Sequence, residues 1–284
     1  MKIHLNTQNA SSRGFTLIDL LVVISIIGML ASVVLVTLNG ARQKAVQGAS
    51  LEFAATNYHA LGAYAIAMYN FDEGGTVAPL DSSGNNLNFA QSIMRSSDTP
   101  SGSGYSADFS TAQSTLEIGP LASYNTLPAT YSYSAWFKPT AAFSGAETVF
   151  ALQAYNLGWG SNIMIFVGVN GVVDCEGSVQ HGWGTGLIYS KQALQVNQWN
   201  LITCSYDGTN LSIYINGKLD SSTAVTMPNN QWNVASIGNF YNGSNVMPAV
   251  GRIDDVMVYS SSLTEKEVSQ MYAYGLKEHT LAER

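Results

Sequence analysis

Two hydrophobic rhythms divide this chain. From Phe15 to Leu38 the residues are apolar almost without a break, and Asp19 is the only charge among the 24 positions (38 − 15 + 1). As an α-helix rising ~1.5 Å per residue, this run spans roughly 36 Å, enough to cross the hydrocarbon core of a bilayer. Beyond Leu38 the pattern turns amphipathic. Ala41, Ala45, Ala49, Phe53, Ala54 and Leu61 alternate with Arg42, Lys44, Gln47, Glu52 and Asn57, and no proline occurs before Pro79. The spacing predicts one continuous helix from about Phe15 to about Leu61, its second half packing on a globular head. Gly28, Ala31, Ser32, Ala41 and Ala45 read either as close-approach positions for neighbouring helices or as plain helix-compatible spacers.

From Tyr69 onward the rhythm shortens to that of strands separated by Gly, Asn and Asp turns. Candidate strands include Thr115–Ile118, Tyr131–Lys138, Glu147–Gln153, Asn162–Val169, Leu187–Tyr189, Trp199–Tyr206, Leu211–Ile215, Ser236–Asn239 and Gly251–Tyr259. Asp207-Gly208 and Asn216-Gly217 are hairpin dipeptides. Trp199–Tyr206, Leu211–Ile215 and Lys218–Thr223 therefore read as an antiparallel meander. Thr264 and Glu267 form a capping-box signature before Val268, Met271 and Tyr272, predicting a short C-terminal helix. The expected fold is α+β and mainly β: a long N-terminal helix followed by an antiparallel β-sandwich.

Only 11% of the 284 residues are charged, against 15 tyrosines and many Gly, Ser, Asn and Thr, which is the look of an exported β-rich protein. The net charge of −7, with no Lys/Arg cluster, argues against nucleic acid as a partner. Cys175 and Cys204, both in segments read as strands, suggest one disulfide in an extracytoplasmic protein. The alternative is a pair of buried thiols.

A lone acid in a membrane-length apolar helix is costly and needs a partner. Arg13-Gly14-Phe15-Thr16-Leu17, with Asp19 five residues past the glycine, closely resembles the start of a type IV prepilin or pseudopilin. The resemblance covers about residues 13–60. It implies cleavage after Gly14 by a prepilin peptidase and N-methylation of the new terminus at Phe15. It also implies that Asp19 neutralises the amino terminus of a neighbouring subunit in the filament, a buried carboxylate and ammonium being tolerable as a pair. The family usually has Glu at this position, so Asp19 keeps the charge one methylene shorter. Cleavage would remove Lys2 and Arg13, leaving 10 basic (12 − 2) and 19 acidic side chains, net −9.

A second resemblance covers about residues 64–275. Asn70-Phe71-Asp72-Glu73-Gly74, Asp81-Ser82-Ser83-Gly84-Asn85, Tyr133-Ser134-Ala135-Trp136-Phe137, Tyr214-Ile215-Asn216-Gly217 and Gly251-Arg252-Ile253-Asp254-Asp255-Val256 occur in the order of a LamG-like, concanavalin A-like jelly roll. The cofactor it implies is calcium, with Asp81 and Asp254 as oxygen ligands and Asp72 and Asp255 as alternates. The residues alone read equally as a turn aspartate and an edge-strand carboxylate. Hydrolases of this superfamily carry a Glu-x-Asp-x-x-Glu strand that this chain lacks. Glu117, Glu147 and Glu176 fall on separate candidate elements, so no catalytic residues and no enzyme activity are expected. His59, His181 and His279 show no ligand spacing. Glycine-flanked Trp159 and Trp183, with Tyr241, are candidate ligand-stacking aromatics; packing under long loops or between subunits is the equal alternative. Trp136, Trp199 and Trp232 read as core.

The expected organisation is a leader at 1–14, a pilin-type helix at 15–62 with 15–38 membrane-spanning, a LamG-like head at 63–275 and a tail at 276–284. The expected function is a pilin-like structural subunit of a cell-surface filament, its head serving adhesion to glycan or protein. A pseudopilin of a secretion system is the alternative, and a membrane-anchored glycan-processing enzyme is the alternative from another class. Expected partners are copies of the chain itself or other pilins, the prepilin peptidase, the assembly machinery and the lipid bilayer. The expected location is the cytoplasmic membrane before assembly and the cell surface afterwards.

Overall fold

The computed structural model describes residues 17–32, 34, 38, 61–73, 75–102, 104–111, 115–119, 121, 125–154, 162–177, 186–226, 231–240 and 247–276. The chain divides into two compact units, Met1–Glu52 and Phe53–Arg284.

In the first unit, residues 17–32 are α-helical (α1) with their side chains exposed. Leu17, Ile18, Leu20, Leu30 and the residues between them present an apolar surface. Its serines hide their polarity: Ser25 Oγ donates to the Val22 carbonyl at 2.9 Å and Ser32 Oγ to that of Met29 at 2.8 Å. Among the described residues no helix is long and apolar enough to cross a membrane. Residues 39–60, the second half of the expected continuous helix, lie outside the described residues.

The second unit is a β-sandwich. Its strands are β1 Ala65–Tyr69, β2 Arg95–Ser96, β3 Ser106–Asp108, β4 Leu116–Ile118, β5 Asn125–Thr126, β6 Tyr131–Pro139, β7 Glu147–Gln153 and β8 Asn162–Val167. They continue with β9 Val172–Glu176, β10 Leu187–Ala193, β11 Asn200–Tyr206, β12 Asn210–Ile215, β13 Lys218–Ala224, β14 Gln231–Trp232, β15 Val234–Ile237 and β16 Gly251–Tyr259; helix α2, Glu265–Gly275, follows. One sheet runs β13-β12-β11-β6-β16-β3-β2, with β1 also paired to β16. The facing sheet runs β10-β9-β8-β7-β15-β4, and β14 and β5 pair by themselves. Among the described strands, every ladder pairing is antiparallel.

Alternation sends one set of side chains from each sheet into a shared core. Tyr131, Tyr133, Ala135 and Phe137 of β6 meet Phe150, Ile165, Val173 and Cys175 of the smaller sheet. Cys175 of β9 and Cys204 of β11 are disulfide-bonded across this core, Cα atoms 6.0 Å apart. A second cluster lies on the other face of the larger sheet, where Trp136, Leu201, Tyr214, Met257 and Tyr259 pack under Val268 and Met271 of α2. Helix α2 can lie this close because Gly275 has no side chain; a Cβ there would stand 2.7 Å from the Trp136 ring nitrogen.

The Thr264–Glu267 capping box is present in both directions. Asn216 and Gly217 both take positive φ, 52° and 79°, as a two-residue hairpin requires. Strands Glu147–Gln153 and Gly251–Tyr259 have the predicted bounds. Where Ser236–Asn239 was expected, the strand is Val234–Ile237. Gly238 ends it with φ +78°, and the Phe109 ring fills the place its side chain would take. Strand β1 has no period-two signature. Ala-Ile-Ala-Met-Tyr is extended because it pairs with β16. Trp136 and Trp232 are buried, whereas Trp199 is half-buried just before β11 and donates Nε1–H to Asp98 at 3.0 Å.

Candidate ligand-binding site

The outward face of the six-stranded sheet carries three buried polar atoms without partners, on Thr148, Asp174 and Ser236. Registry puts Glu117, Ser236, Ala151, Met164, Glu176 and Leu187 in one transverse row, one residue from each strand. The adjacent row is Thr148, Phe166, Asp174 and Tyr189. Alternation places these opposite to the core residues Ile165, Val173, Cys175 and Ile237. Phe240 and Met247 cover the centre, over Ala151 and Met164.

Strand β9 is held firmly. The disulfide fixes Cys175, and the Tyr133 hydroxyl, reaching from β6 through the core, donates to the Glu176 carbonyl at 2.6 Å. Strand β10 is fixed from its other side by Asp220 of β13, whose carboxylate accepts from the backbone N–H groups of Lys191 and Gln192. Ser190 Oγ accepts from Val173 N–H and donates to the Gln192 carbonyl. These anchors set Tyr189 directly opposite Asp174.

Asp174 and Glu176 are two residues apart on one face, so their Cα atoms stand roughly 6.6 Å apart. Asp174 is only 6% exposed, and its Oδ1 has no hydrogen-bond partner. The ion pairs among the described residues involve Glu73, Asp98 and Asp108, and neither Asp174 nor Glu176 takes part. Burial pushes the Asp174 carboxyl up to about 7. Burial and the neighbouring Asp174 push Glu176 up to about 8. Burial, then these two acids, raise the Tyr189 phenol, which places its ring in their field. The fully buried hydroxyls of Thr148 and Ser236, on the same face, also lack partners. Buried polar atoms are ordinarily satisfied, so three orphans on one face set it apart, and the group there open to solvent is Tyr189, 57% exposed.

The expected metal residues Asp81 and Asp254 fall outside this sheet. Asp81 sits where expected, in a turn, but its oxygens are already occupied. Oδ1 accepts from Met68 N–H (3.0 Å) and Ser83 N–H (2.9 Å), and Oδ2 from Ser83 Oγ (2.8 Å) and Leu87 N–H (3.0 Å). Four donors use the roughly four lone-pair directions of a carboxylate, leaving none for calcium. Asp72 accepts from Tyr105 N–H, while Asp254, 5% exposed in β16, accepts from Asp255 N–H. Among the described residues no three His, Cys, Asp or Glu side chains gather in a group that could hold a metal ion. The residues present do not fit calcium at Asp81. Gly14, Phe15, Trp159, Trp183 and Tyr241, like His59, His181 and His279, lie outside the described residues. Asp19 lies within α1 on its exposed apolar surface.

Residues 110–269, more than half of the chain, match the concanavalin A-like lectin/glucanases superfamily. The chain belongs to that superfamily. Residues 9–35 match the prokaryotic N-terminal methylation motif, so this concanavalin A-like protein carries a prepilin-type start. No curated protein matches it. Among solved structures it is similar to the binding domain of botulinum neurotoxin serotype D, with TM-score 0.54, 14% identity and coverage of 76% of this chain and 52% of that one. It is also similar to the serotype D ligand-binding domain in complex with N-acetylneuraminic acid (TM-score 0.53, 13% identity, 76% and 52% coverage). The receptor-binding domain of botulinum neurotoxin D is a third (TM-score 0.51, 15% identity, 75% and 53% coverage). The chain thus spans about half the length of these structures, and the likeness is one of fold.

Asp174 and Tyr189 did not stand out in the sequence. The signal was present: Val-Val-Asp-Cys-Glu read as a strand puts both acids on one face and the cysteine on the other.

Proposed function

We propose that this concanavalin A-like protein is a pilin-like subunit of a cell-surface filament whose β-sandwich head binds an external ligand. The observation that carries the reading is the union of a methylation motif at 9–35 and a lectin-like domain at 110–269 in one chain. In this reading the apolar run 15–38, of which α1 is the described part, serves first as membrane anchor and then as filament core. Asp19 pairs there with the free amino terminus of an adjoining copy, because each charge alone is too costly to bury in an apolar bundle. The head would engage glycan or protein through the outward face of the six-stranded sheet.

Binding is favoured over hydrolysis by the electrostatics of that face. A glycosidase needs one carboxylate ionised while the other stays protonated. Here burial pushes Asp174 and Glu176 the same way.

The experiment is Asp19→Ala in the native host, with membrane fractionation, leader processing and electron microscopy of surface filaments. Insertion and cleavage are expected to continue while filaments containing this chain disappear. Unchanged filaments would refute the charge-pairing role. Loss of secretion with no surface polymer in the parent strain would favour the pseudopilin alternative.

A further inference from the structure

We propose that Glu176, with Asp174 behind it and the ring of Tyr189 beside it, receives a basic side chain, an arginine guanidinium or a lysine ammonium, presented by a protein ligand. This rests on the ligand-binding reading of the face and names what that face recognises.

Three observations converge. First, two carboxylates stand side by side on β9 with no Lys or Arg among the described residues paired to either. Like charges held together away from water are unfavourable until a cation arrives between them. Second, Asp174 is 94% buried (100 − 6) with one oxygen unpartnered, so hydrogen-bonding capacity is held in reserve. Third, Tyr189 is 57% exposed directly across from Asp174, a ring face open to solvent beside negative charge. A guanidinium stacks on such a ring while bonding a carboxylate at its edge. Rigid anchoring of β9 and β10 through the disulfide, Tyr133 and Asp220 presents these groups preorganised. An acidic sugar such as the one bound to the serotype D domain would meet repulsion here.

Among the described residues, few titratable groups face this spot. Beneath it lies Tyr133 of β6, beside it Tyr189 of β10, and the neighbouring strand β8 contributes Met164 and Phe166, which do not titrate. A bound cation would lower the pKa of both acids, so binding releases protons and strengthens as pH rises from about 5.5 to 8.

The test uses the full chain in detergent and a dye-labelled arginine peptide, read by fluorescence anisotropy. The same peptide with citrulline in place of arginine, an amino-sugar oligomer, and Glu265→Gln as a remote charge control complete the set. The arginine peptide should bind, and the citrulline peptide should not. Glu176→Gln should weaken binding about tenfold or more, as loss of one partner of a desolvated charge pair does. Tyr189→Ala should weaken it several-fold, and Tyr189→Phe should preserve it. Equal binding of the citrulline peptide, or equal weakening by Glu265→Gln, would overturn the proposal as general attraction to an acidic protein. Glu176-dependent capture of the amino sugar without the peptide would overturn the protein-ligand assignment while leaving the adhesive reading standing. Absence of peptide binding overturns the proposal whatever the filaments show.

Discussion

The acid pair on β9 makes a prediction about stability that runs against the usual behaviour of carboxylates. Most folded proteins lose stability on acidification because paired carboxylates must be protonated. Asp174 and Glu176 are instead pushed up, to about 7 and about 8. The folded chain therefore holds protons that the unfolded chain has already released above pH ~4. Their contribution is fully present below the unfolded carboxylate pKa values and is lost as pH rises through the folded ones. Each pKa unit is worth ~1.4 kcal/mol, so between pH ~5 and ~8.5 the ceiling is ~3 kcal/mol for Asp174 and ~4 kcal/mol for Glu176. The two titrate as a pair and water relaxes around them, so the expected net loss is roughly 2–4 kcal/mol. At ~2–4 °C per kcal/mol for a domain of this size, the melting temperature should fall by roughly 5–15 °C over that range. The assay is thermal melting followed by near-ultraviolet circular dichroism across pH. Glu117 and Glu147 are also raised by burial and contribute with the same sign, so the decisive quantity is a difference. An Asp174→Asn/Glu176→Gln double variant should melt several degrees above the parent at pH ~8.5 and show a flatter profile. A parent whose melting temperature holds or rises from pH 5 to 8.5, or a double variant no more stable at the alkaline end, would refute the reasoning.

Other outcomes follow from single sites. Asp81→Ala removes the acceptor for four donors and should destabilise the head by roughly 2–4 kcal/mol by denaturant titration, while chelator leaves the parent's melting curve unchanged. A chelator-induced fall restored by Ca²⁺ would show that the carboxylate has a metal role after all. The Cys175–Cys204 bond closes a separation of 29 residues, so the Cys175→Ala/Cys204→Ala variant should lose roughly 3–4 kcal/mol, measured by urea titration. Gly275→Ala should loosen α2, because the new methyl would overlap the Trp136 ring; the check is Trp fluorescence and a melting temperature lowered by several degrees.

Local chemistry made much of the sandwich readable. The meander from β11 to β13 was legible because Asn216-Gly217 can take two positive φ values and the flanking strands are β-branched or aromatic. Thr264 and Glu267 announced α2 for the same kind of reason. Strand β1 was not legible, since Ala65–Tyr69 is extended through its partner β16 and lacks a pattern of its own. The outward face of the six-stranded sheet was half legible. Glu117, Glu147 and Glu176 were correctly expected on separate elements, but sheet order, absent from sequence, sets Tyr189 against Asp174. Asp81 shows the opposite case. Its turn was visible, yet only coordinates reveal that backbone donors consume the oxygens a metal would need. Asp19 and the apolar run around it needed no coordinates, because one charge among the 24 residues Phe15–Leu38 is conspicuous in composition alone.

The most direct test of the whole account is the mass of this protein's mature amino terminus, isolated from surface filaments of its native host. Tandem mass spectrometry should find a chain beginning at Phe15 with a methylated amine. Peptides retaining Met1 to Gly14 in the surface material would contradict the account, because Asp19 would then have no liberated terminus to meet.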